Sequence, residues 1–189
     1  MKKIVIAALL LLTSVAANAL EISGIKIPEK TQSGERTLLL NGAGVKLMAF
    51  VYPVYVLALY LPEKKHTVDE VLAESLSKKL VLSFTYSGAT PAQLLDATRQ
   101  LMSENLNAED LKKQDTGWKA FAAIFNSVKD FKRGDQLGFD YNATTGMQVT
   151  INGNALGNVG ELDFMRGFLM VWLGNNPAQP ELKNKLLGQ

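Results

Sequence analysis

The sequence predicts an α+β fold, a mainly antiparallel sheet with helices packed on it. Three observations lead there. Thr37 to Leu61 is a long apolar stretch rich in β-branched and aromatic residues and interrupted by Pro53, which suits paired strands better than a helix. Thr67-Val68-Asp69-Glu70 and Thr90-Pro91-Ala92-Gln93 each carry the side chains of a capping box, a signature of helix starts. Asn152-Gly153 lies between two short strand-like runs, a strong hairpin signal.

Ahead of the fold, Lys2 and Lys3 precede an uncharged apolar run from Ile4 to Leu12, and Ala17-Asn18-Ala19 follows with small residues. These are the three parts of a secretion signal, with cutting expected after Ala19. The run is short for a membrane span, which needs about 20 apolar residues. The expectation is a periplasmic protein with a signal at 1–19 and one domain over 20–189.

Within the domain, Ile22 to Pro28 alternates and reads as a strand, and Thr31 to Arg36 as a turn around Gly34. In the long apolar stretch, Gly42 and Gly44 point to a bulge or a close backbone approach. Pro53 calls for a bend or hairpin between about Ala49 and Pro53. A short helix follows Thr67, then a strand over Lys79–Tyr86. The Thr90 helix runs to about Asn105, Asn107 caps a short turn through Lys113, and Gly117–Val128 is helical. Strands are expected over Gln136–Tyr141, Met147–Ile151 and Asn154–Val159. A helix from Glu161 to Leu173 ends at Gly174, expected as a left-handed cap, and Pro180–Leu187 forms the last helix.

Composition excludes several classes of function. The two leader lysines account for the whole excess of 20 basic over 18 acidic residues. The remaining chain is formally neutral, with no basic field for nucleic acid or an anionic membrane. There is no cysteine, hence no disulfide framework, thiolate nucleophile or lipid-modified cysteine. His66 is the sole histidine, which argues against a multi-histidine metal site and a Ser-His-Asp triad. It reads as an exposed loop residue. No phosphate-binding glycine loop is present. No cofactor and no metal are expected.

Leu40-Asn41-Gly42-Ala43-Gly44-Val45-Lys46, followed by Val54-Tyr55-Val56-Leu57-Ala58-Leu59-Tyr60-Leu61, resembles the opening of a chalcone isomerase-like domain. Lys132-Arg133-Gly134-Asp135, Asp140-Tyr141, Asn152-Gly153, Asp163-Phe164 and Trp172-Leu173-Gly174 are similar in order to the exported bacterial branch of that family. The resemblance covers roughly Leu20 to Gly188. It implies an open-faced β-sandwich, with a large antiparallel sheet, helices on one face and a ligand cleft between them. Members either close chalcones into flavanones or bind fatty acids, holding the carboxylate with an Arg and a Tyr. The Arg position falls here on Lys46, which keeps the charge but loses the planar two-pronged grip. The second position, Thr in isomerases and Tyr in binders, falls on Tyr55. The spacing between the two is shorter than in the plant pattern. The isomerase Tyr and Asn on the following helix fall on Thr90 and Ala97, so the plant reaction is not expected in the plant manner.

The ligand-binding candidates are therefore Lys46, Tyr55, Tyr86 and Thr90. Each has a plainer alternative. Lys46 is the only charge between Arg36 and Glu63 and would be costly to bury unpaired, but it also fits a solvated strand end. Tyr55 also fits a core tyrosine. Thr90 is first a helix cap, and Tyr86 fits packing at a strand end. Lys46 and Tyr55 have opposite parity, so they converge only if a turn near Pro53 intervenes. Phe50, Val54, Val56 and Phe168 are the expected apolar walls.

The leading expectation is a non-catalytic binder of a small hydrophobic or amphiphilic ligand such as a fatty acid. An isomerase or intramolecular lyase acting on a hydrophobic molecule is the alternative, and an envelope interaction protein the third.

Overall fold

Why a thirteen-residue strand can carry a lysine to the helix side of a sheet is answered by one extra residue. The computed structural model describes residues 19–189 apart from 74, 76 and 162. The segment read as a secretion signal lies outside these residues except for Ala19. Strand β4 (Arg36–Met48) pairs antiparallel with β5 (Tyr52–Leu61), and Leu40 stands opposite Tyr60 while Gly42 stands opposite Leu59. Asn41 is the unpaired extra residue of a bulge, and it reverses the parity of everything after it. Leu38 and Leu40 therefore face one side of the sheet with Tyr60. Gly42, Gly44 and Lys46 face the other, with Leu59, Leu57 and Tyr55.

The remaining elements complete one curled sheet. β1 (Leu20–Ile22) and β2 (Ile25–Ile27) form a separate hairpin; β3 (Lys30–Ser33), β6 (Lys78–Phe84), β7 (Gln136–Asn142), β8 (Gly146–Ile151) and β9 (Asn154–Val159) join β4 and β5. The seven strands run in the order β3-β4-β5-β6-β7-β8-β9, each pair antiparallel. The Ser33 hydroxyl on β3 nevertheless donates to Asp140 on β7 at 2.5 Å, and Lys79 donates to the Gln32 carbonyl at 2.9 Å. Contacts between strands four and three places apart in the order mean that the sheet curls on itself.

Helices α1 (Val68–Leu72), α2 (Pro91–Asn105), α3 (Ala108–Lys113), α4 (Asp115–Ile124), α5 (Phe164–Leu173) and α6 (Pro180–Leu186) accompany the sheet. Both expected capping boxes are present, at Thr67 with Glu70 and at Thr90 with Gln93. The main core lies between the inner sheet face and the helices. There Leu57, Leu80, Leu82, Phe84, Leu137, Phe139 and Val149 meet Phe121, Phe164, Phe168 and Trp172. A second, smaller core of Ile27, Leu38, Ala43, Val56, Ala58 and Tyr60 fills the outer, curled face. This is the α+β open-faced sandwich expected, with helices on one face. No helix among the described residues is long and apolar enough to cross a membrane.

Three local expectations change. Ile22–Pro28 is not one strand, because Ser23 and Gly24 both adopt positive φ (50° and 78°) and turn the chain back on itself. The polar stretch after Thr31 is β3 rather than all turn, since Thr31 pairs with Leu38 and Gln32 with Thr37. Gly174 is not left-handed (φ −68°, ψ −174°). Its requirement is space, because an added Cβ would lie 2.1 Å from the Asn105 side-chain oxygen.

Candidate functional site

Lys46 and Tyr55 are direct cross-strand partners on β4 and β5, so their side chains leave the same face of the sheet. The turn between them is a three-residue loop at 49–51, closed by the Val51 N–H donating to the Met48 carbonyl at 3.2 Å. A second bulge leaves Val54 without a partner, because Lys46 stands opposite Tyr55 and Leu47 opposite Pro53. Bulge and turn together bring two residues of opposite parity to one point on the helix side.

Both polar heads meet the same stretch of chain from the α5–α6 region. The Lys46 ammonium donates to the Ala178 carbonyl at 2.8 Å, and the Leu47 N–H donates to the Gln179 side-chain oxygen at 3.0 Å. The Trp172 indole N–H donates to the Tyr55 hydroxyl oxygen at 2.9 Å. Phe84, opposite Tyr55 on β6, stacks on Phe131 at 4.4 Å. Phe168 meets Trp172 edge-on at 5.1 Å. The site is thus a cation and a phenol side by side, in aromatic surroundings and roofed by the chain around Ala178.

Electrostatics sharpen the picture. Burial pushes the Lys46 ammonium below its ordinary pKa, with Glu181 pulling the other way. Among the described residues, no carboxylate lies within salt-bridge distance of Lys46; its partner is a neutral carbonyl. Tyr55 is half-buried as a residue but its hydroxyl end is enclosed, and burial pushes the phenol up to about 12, against a smaller downward effect of the Trp172 hydrogen bond. It stays neutral at any ordinary pH. Since its oxygen accepts from Trp172, its own proton is available to a ligand.

The other candidates lie elsewhere. Thr90 caps α2, and its hydroxyl is engaged with Gln93. Tyr86 follows the end of β6 and is 41% exposed. Ala97 is on the exposed side of α2. The expected apolar walls also change. Val56 faces the outer core, because the strand alternates and Tyr55 faces inward. Phe50 is 87% exposed at the turn, and Val54 is a bulge residue. Only Phe168 belongs to the helix-side core. His66 is exposed as expected, its Nδ1 2.9 Å from the Leu187 carbonyl oxygen.

Sequence reasoning left Asn41, Trp172, Ala178 and Gln179 outside the polar site. Asn41 is buried, donates to the carbonyls of Lys65 and Leu186 and accepts from the Lys65 N–H. It therefore fixes the bulge that aims Lys46. The resemblance to a glycine segment contained this signal, but nothing local revealed partners more than a hundred residues away.

The glycines themselves seat α6. A Cβ at Gly42 would lie 1.9 Å from the Lys185 carbonyl oxygen, and one at Gly44 2.9 Å from a Leu182 methyl. A cleft of about 560 Å³ lies among the helices beside Asn107, Gln114, Arg166 and Met170, and another of about 160 Å³ on the outer sheet face over Val56, Ala58 and Val81. Neither has Lys46 or Tyr55 in its wall.

Comparison with known proteins bears on this arrangement. A family model described as chalcone isomerase-like matches residues 19–188. The chain is similar in structure to a fatty-acid binding protein from Arabidopsis thaliana, with a TM-score of 0.69 at 15% sequence identity, over 87% of this chain and 92% of that one. At that identity the likeness concerns the fold. No curated protein sequence matches the chain. The bulged glycine strand, the curled antiparallel sheet and the helices on one face thus go with a match over nearly the whole described chain, and the protein belongs to the chalcone isomerase-like family.

Proposed function

We propose that this protein is a non-catalytic periplasmic binder of a small amphiphile such as a fatty acid, with Lys46 and Tyr55 at the head group. The observation that carries it is the cross-strand pairing of a partly desolvated ammonium with a neutral phenol whose proton is free. A carboxylate replaces the Ala178 carbonyl as the acceptor for Lys46 and takes a second bond from Tyr55. The exchange turns a neutral acceptor into a charged one, and charge-assisted hydrogen bonds are the stronger kind. The similar Arabidopsis protein is a fatty-acid binding protein, which supports this ligand class over others.

The Ala178 carbonyl occupies the proposed head-group position. Binding therefore requires Ala178 and Gln179 to move off Lys46 and Leu47. The aliphatic tail enters beside Phe84 and Trp172, and the aromatic contacts there are what it must rearrange. Isomerase chemistry has less support. Thr90 is committed to its cap, and Ala97 carries no polar group. Chalcone should cyclise in the presence of the protein no faster than in buffer. A rate well above buffer that disappears in Lys46→Ala would replace the binder with an enzyme.

The export expectation is tested separately, by intact mass and fractionation. A mature chain beginning at Leu20 in the periplasmic fraction supports it. A membrane-bound product retaining Met1 contradicts it.

A further inference from the structure

Five of the six large apolar residues that are strongly exposed among the described residues sit at one end of the sheet. They are Met48 (61%), Phe50 (87%), Val51 (70%) and Tyr52 (64%) on the β4–β5 turn, and Tyr86 (41%). Tyr86 belongs to the same patch because its neighbour Thr85 donates through its hydroxyl to the Pro53 carbonyl at 2.6 Å and through its N–H to Val54 at 3.2 Å. The turn is built at a cost. Ala49 and Phe50 both have positive φ, 49° and 60°, a conformation that glycine or asparagine adopts readily and a bulky residue does not. The chain thus holds an aromatic ring out in solvent where a small polar turn would be less strained.

The surroundings of the tip say what it meets. The strand segment carries no charge between Lys46 and Glu63. Beside Tyr86, the Arg133 N–H donates to the Ser87 hydroxyl at 3.0 Å, the Gly88 N–H donates to Phe131, and Phe131 pairs with Ala89. This places the backbone of the exposed Lys132 and Arg133 on the connection beside Ser87, next in sequence to Tyr86, with exposed Lys129 on the same connection; the Arg133 guanidinium lies toward the β1–β2 turn, 3.9 Å from where a Cβ on Gly24 would stand. Of the acids there, Asp135 is tied to the Lys132 N–H and the Asn152 amide, and Asp130 is exposed. An apolar, aromatic point with a cationic rim matches the boundary of a bilayer that carries anionic head groups, where tyrosine and phenylalanine are favoured and lysine and arginine meet phosphate. A stable protein interface uses about 20 residues or more from each partner. The tip offers five apolar ones, few for an interface with a second copy of this chain.

We infer that the β4–β5 tip, Met48 to Tyr52 with Tyr86, docks the protein onto an anionic lipid bilayer, with Lys132 and Arg133 as its electrostatic rim. The inference rests for its meaning on the proposed binding function, since Lys46 stands two residues inside the tip of the same hairpin and an amphiphile leaving the bilayer there reaches it first. It does not depend on that function for its test.

The test is flotation of the purified mature chain with vesicles of phosphatidylglycerol and phosphatidylethanolamine, beside vesicles of phosphatidylcholine alone. Wild type floats with the anionic vesicles. Phe50→Asp with Val51→Asp lowers the bound fraction about tenfold or more, because charge replaces apolar side chains at the boundary. Lys132→Gln with Arg133→Gln lowers it several-fold on anionic vesicles and not on neutral ones. Circular dichroism and calorimetry with a soluble fatty acid are run on the same variants. Flotation lost with fold and acid binding intact supports the inference. Failure of wild type to float overturns it, whether or not acid binds. Unchanged flotation of the Phe50–Val51 variant also overturns it, as does a wild-type dimer in the ultracentrifuge that this variant makes monomeric. Flotation without acid binding leaves the docking surface standing and removes the proposed ligand instead.

Discussion

At the base of the β4–β5 hairpin an added Cβ at Gly42 would lie 1.9 Å from a backbone oxygen of α6, whereas at its tip the Phe50 ring is 87% exposed. The two regions lie within one long apolar stretch of sequence. What separates them is coverage. The base is closed by α6 and held by the side chain of Asn41; the tip extends past the last helix that could cover it. Lys46 and Tyr55 stand at the border, where Ala178 and Gln179 meet Lys46 and Leu47 and the Trp172 indole meets the Tyr55 hydroxyl. A hydrophobic run therefore reports that a segment avoids water on average, not which part of it succeeds.

The largest effect should come from closing the gap at the base. Gly42→Ala pushes a methyl group into the Lys185 carbonyl, and with backbone on both sides neither can yield cheaply. Overpacking of this kind should cost about 3 kcal/mol, lowering Tm by roughly 10 °C for a domain of this size. Gly44→Ala should cost less, because the atom it meets is the end of the Leu182 side chain. Thermal melts of both would test the ordering. Equal, small losses would mean that α6 is not seated on the glycines.

Asn41→Ala should come next. It removes two donated bonds and one accepted bond from a buried clamp, with an expected loss of about 2 kcal/mol. It should also disturb the aim of Lys46, because the bulge sets which face that residue takes. A drop in ligand affinity beyond the drop in stability would identify Asn41 as a positioning residue. Loss of stability with unchanged affinity would make it structural only.

The tip should respond in the opposite direction. Phe50→Gly relieves a left-handed bulky residue and should stabilise the fold by about 1 kcal/mol, raising Tm by about 3 °C. A falling Tm would mean that the ring is packed rather than presented.

The smallest contrast at neutral pH lies between the two sheet faces. Tyr55 on the inner face and Tyr60 on the outer face both have phenols raised to about 12 by burial. A phenol whose folded pKa exceeds its unfolded value near 10 stabilises the fold fully below that value, and the contribution is lost as pH rises towards 12. The phenols' contribution should be flat from pH 8 to about 9.5 and fall from there to about 12. Tyr55→Phe should remove part of that fall and Tyr60→Phe another part. Denaturant melts from pH 8 to 12 would show it, and an unchanged fall in both variants would mean that neither phenol is responsible.

Much of the fold was legible because its signals are local. The Thr67 and Thr90 capping boxes, the Asn152-Gly153 hairpin and the Pro53 bend each depend on neighbours in sequence. The glycine segment was legible as a bulge or a close approach, and it is both. What sequence could not give was the facing of β4 and β5. Val56 is expected beside the ligand and lies in the outer core, because the strand alternates and its neighbour Tyr55 faces inward; on β4 one unpaired residue, Asn41, decides the facing of Lys46. Trp172 stood out only in the Trp172-Leu173-Gly174 run, and Ala178 carried no signal, although these two hold the polar heads of Tyr55 and Lys46. Their bonds span 117 and 132 residues, and no periodicity reports a contact of that kind. The turn was foreseen, while its exposed and strained form was not, since Ala49 and Phe50 are not turn formers.

The central claim is that Lys46 and Tyr55 form a head-group site, and titration calorimetry of a fatty acid against the matching fatty alcohol tests it most directly. Lys46→Ala should weaken the acid tenfold to a hundredfold, from the loss of a charge-assisted bond of about 1.5 to 3 kcal/mol. Tyr55→Phe should weaken it about fivefold, from one neutral bond. Lys46→Arg should keep or improve it by offering two parallel bonds. The alcohol, with no charge to pair, should be far less sensitive to Lys46→Ala than the acid. Equal losses for acid and alcohol, or binding of neither to the wild type, would contradict the claim.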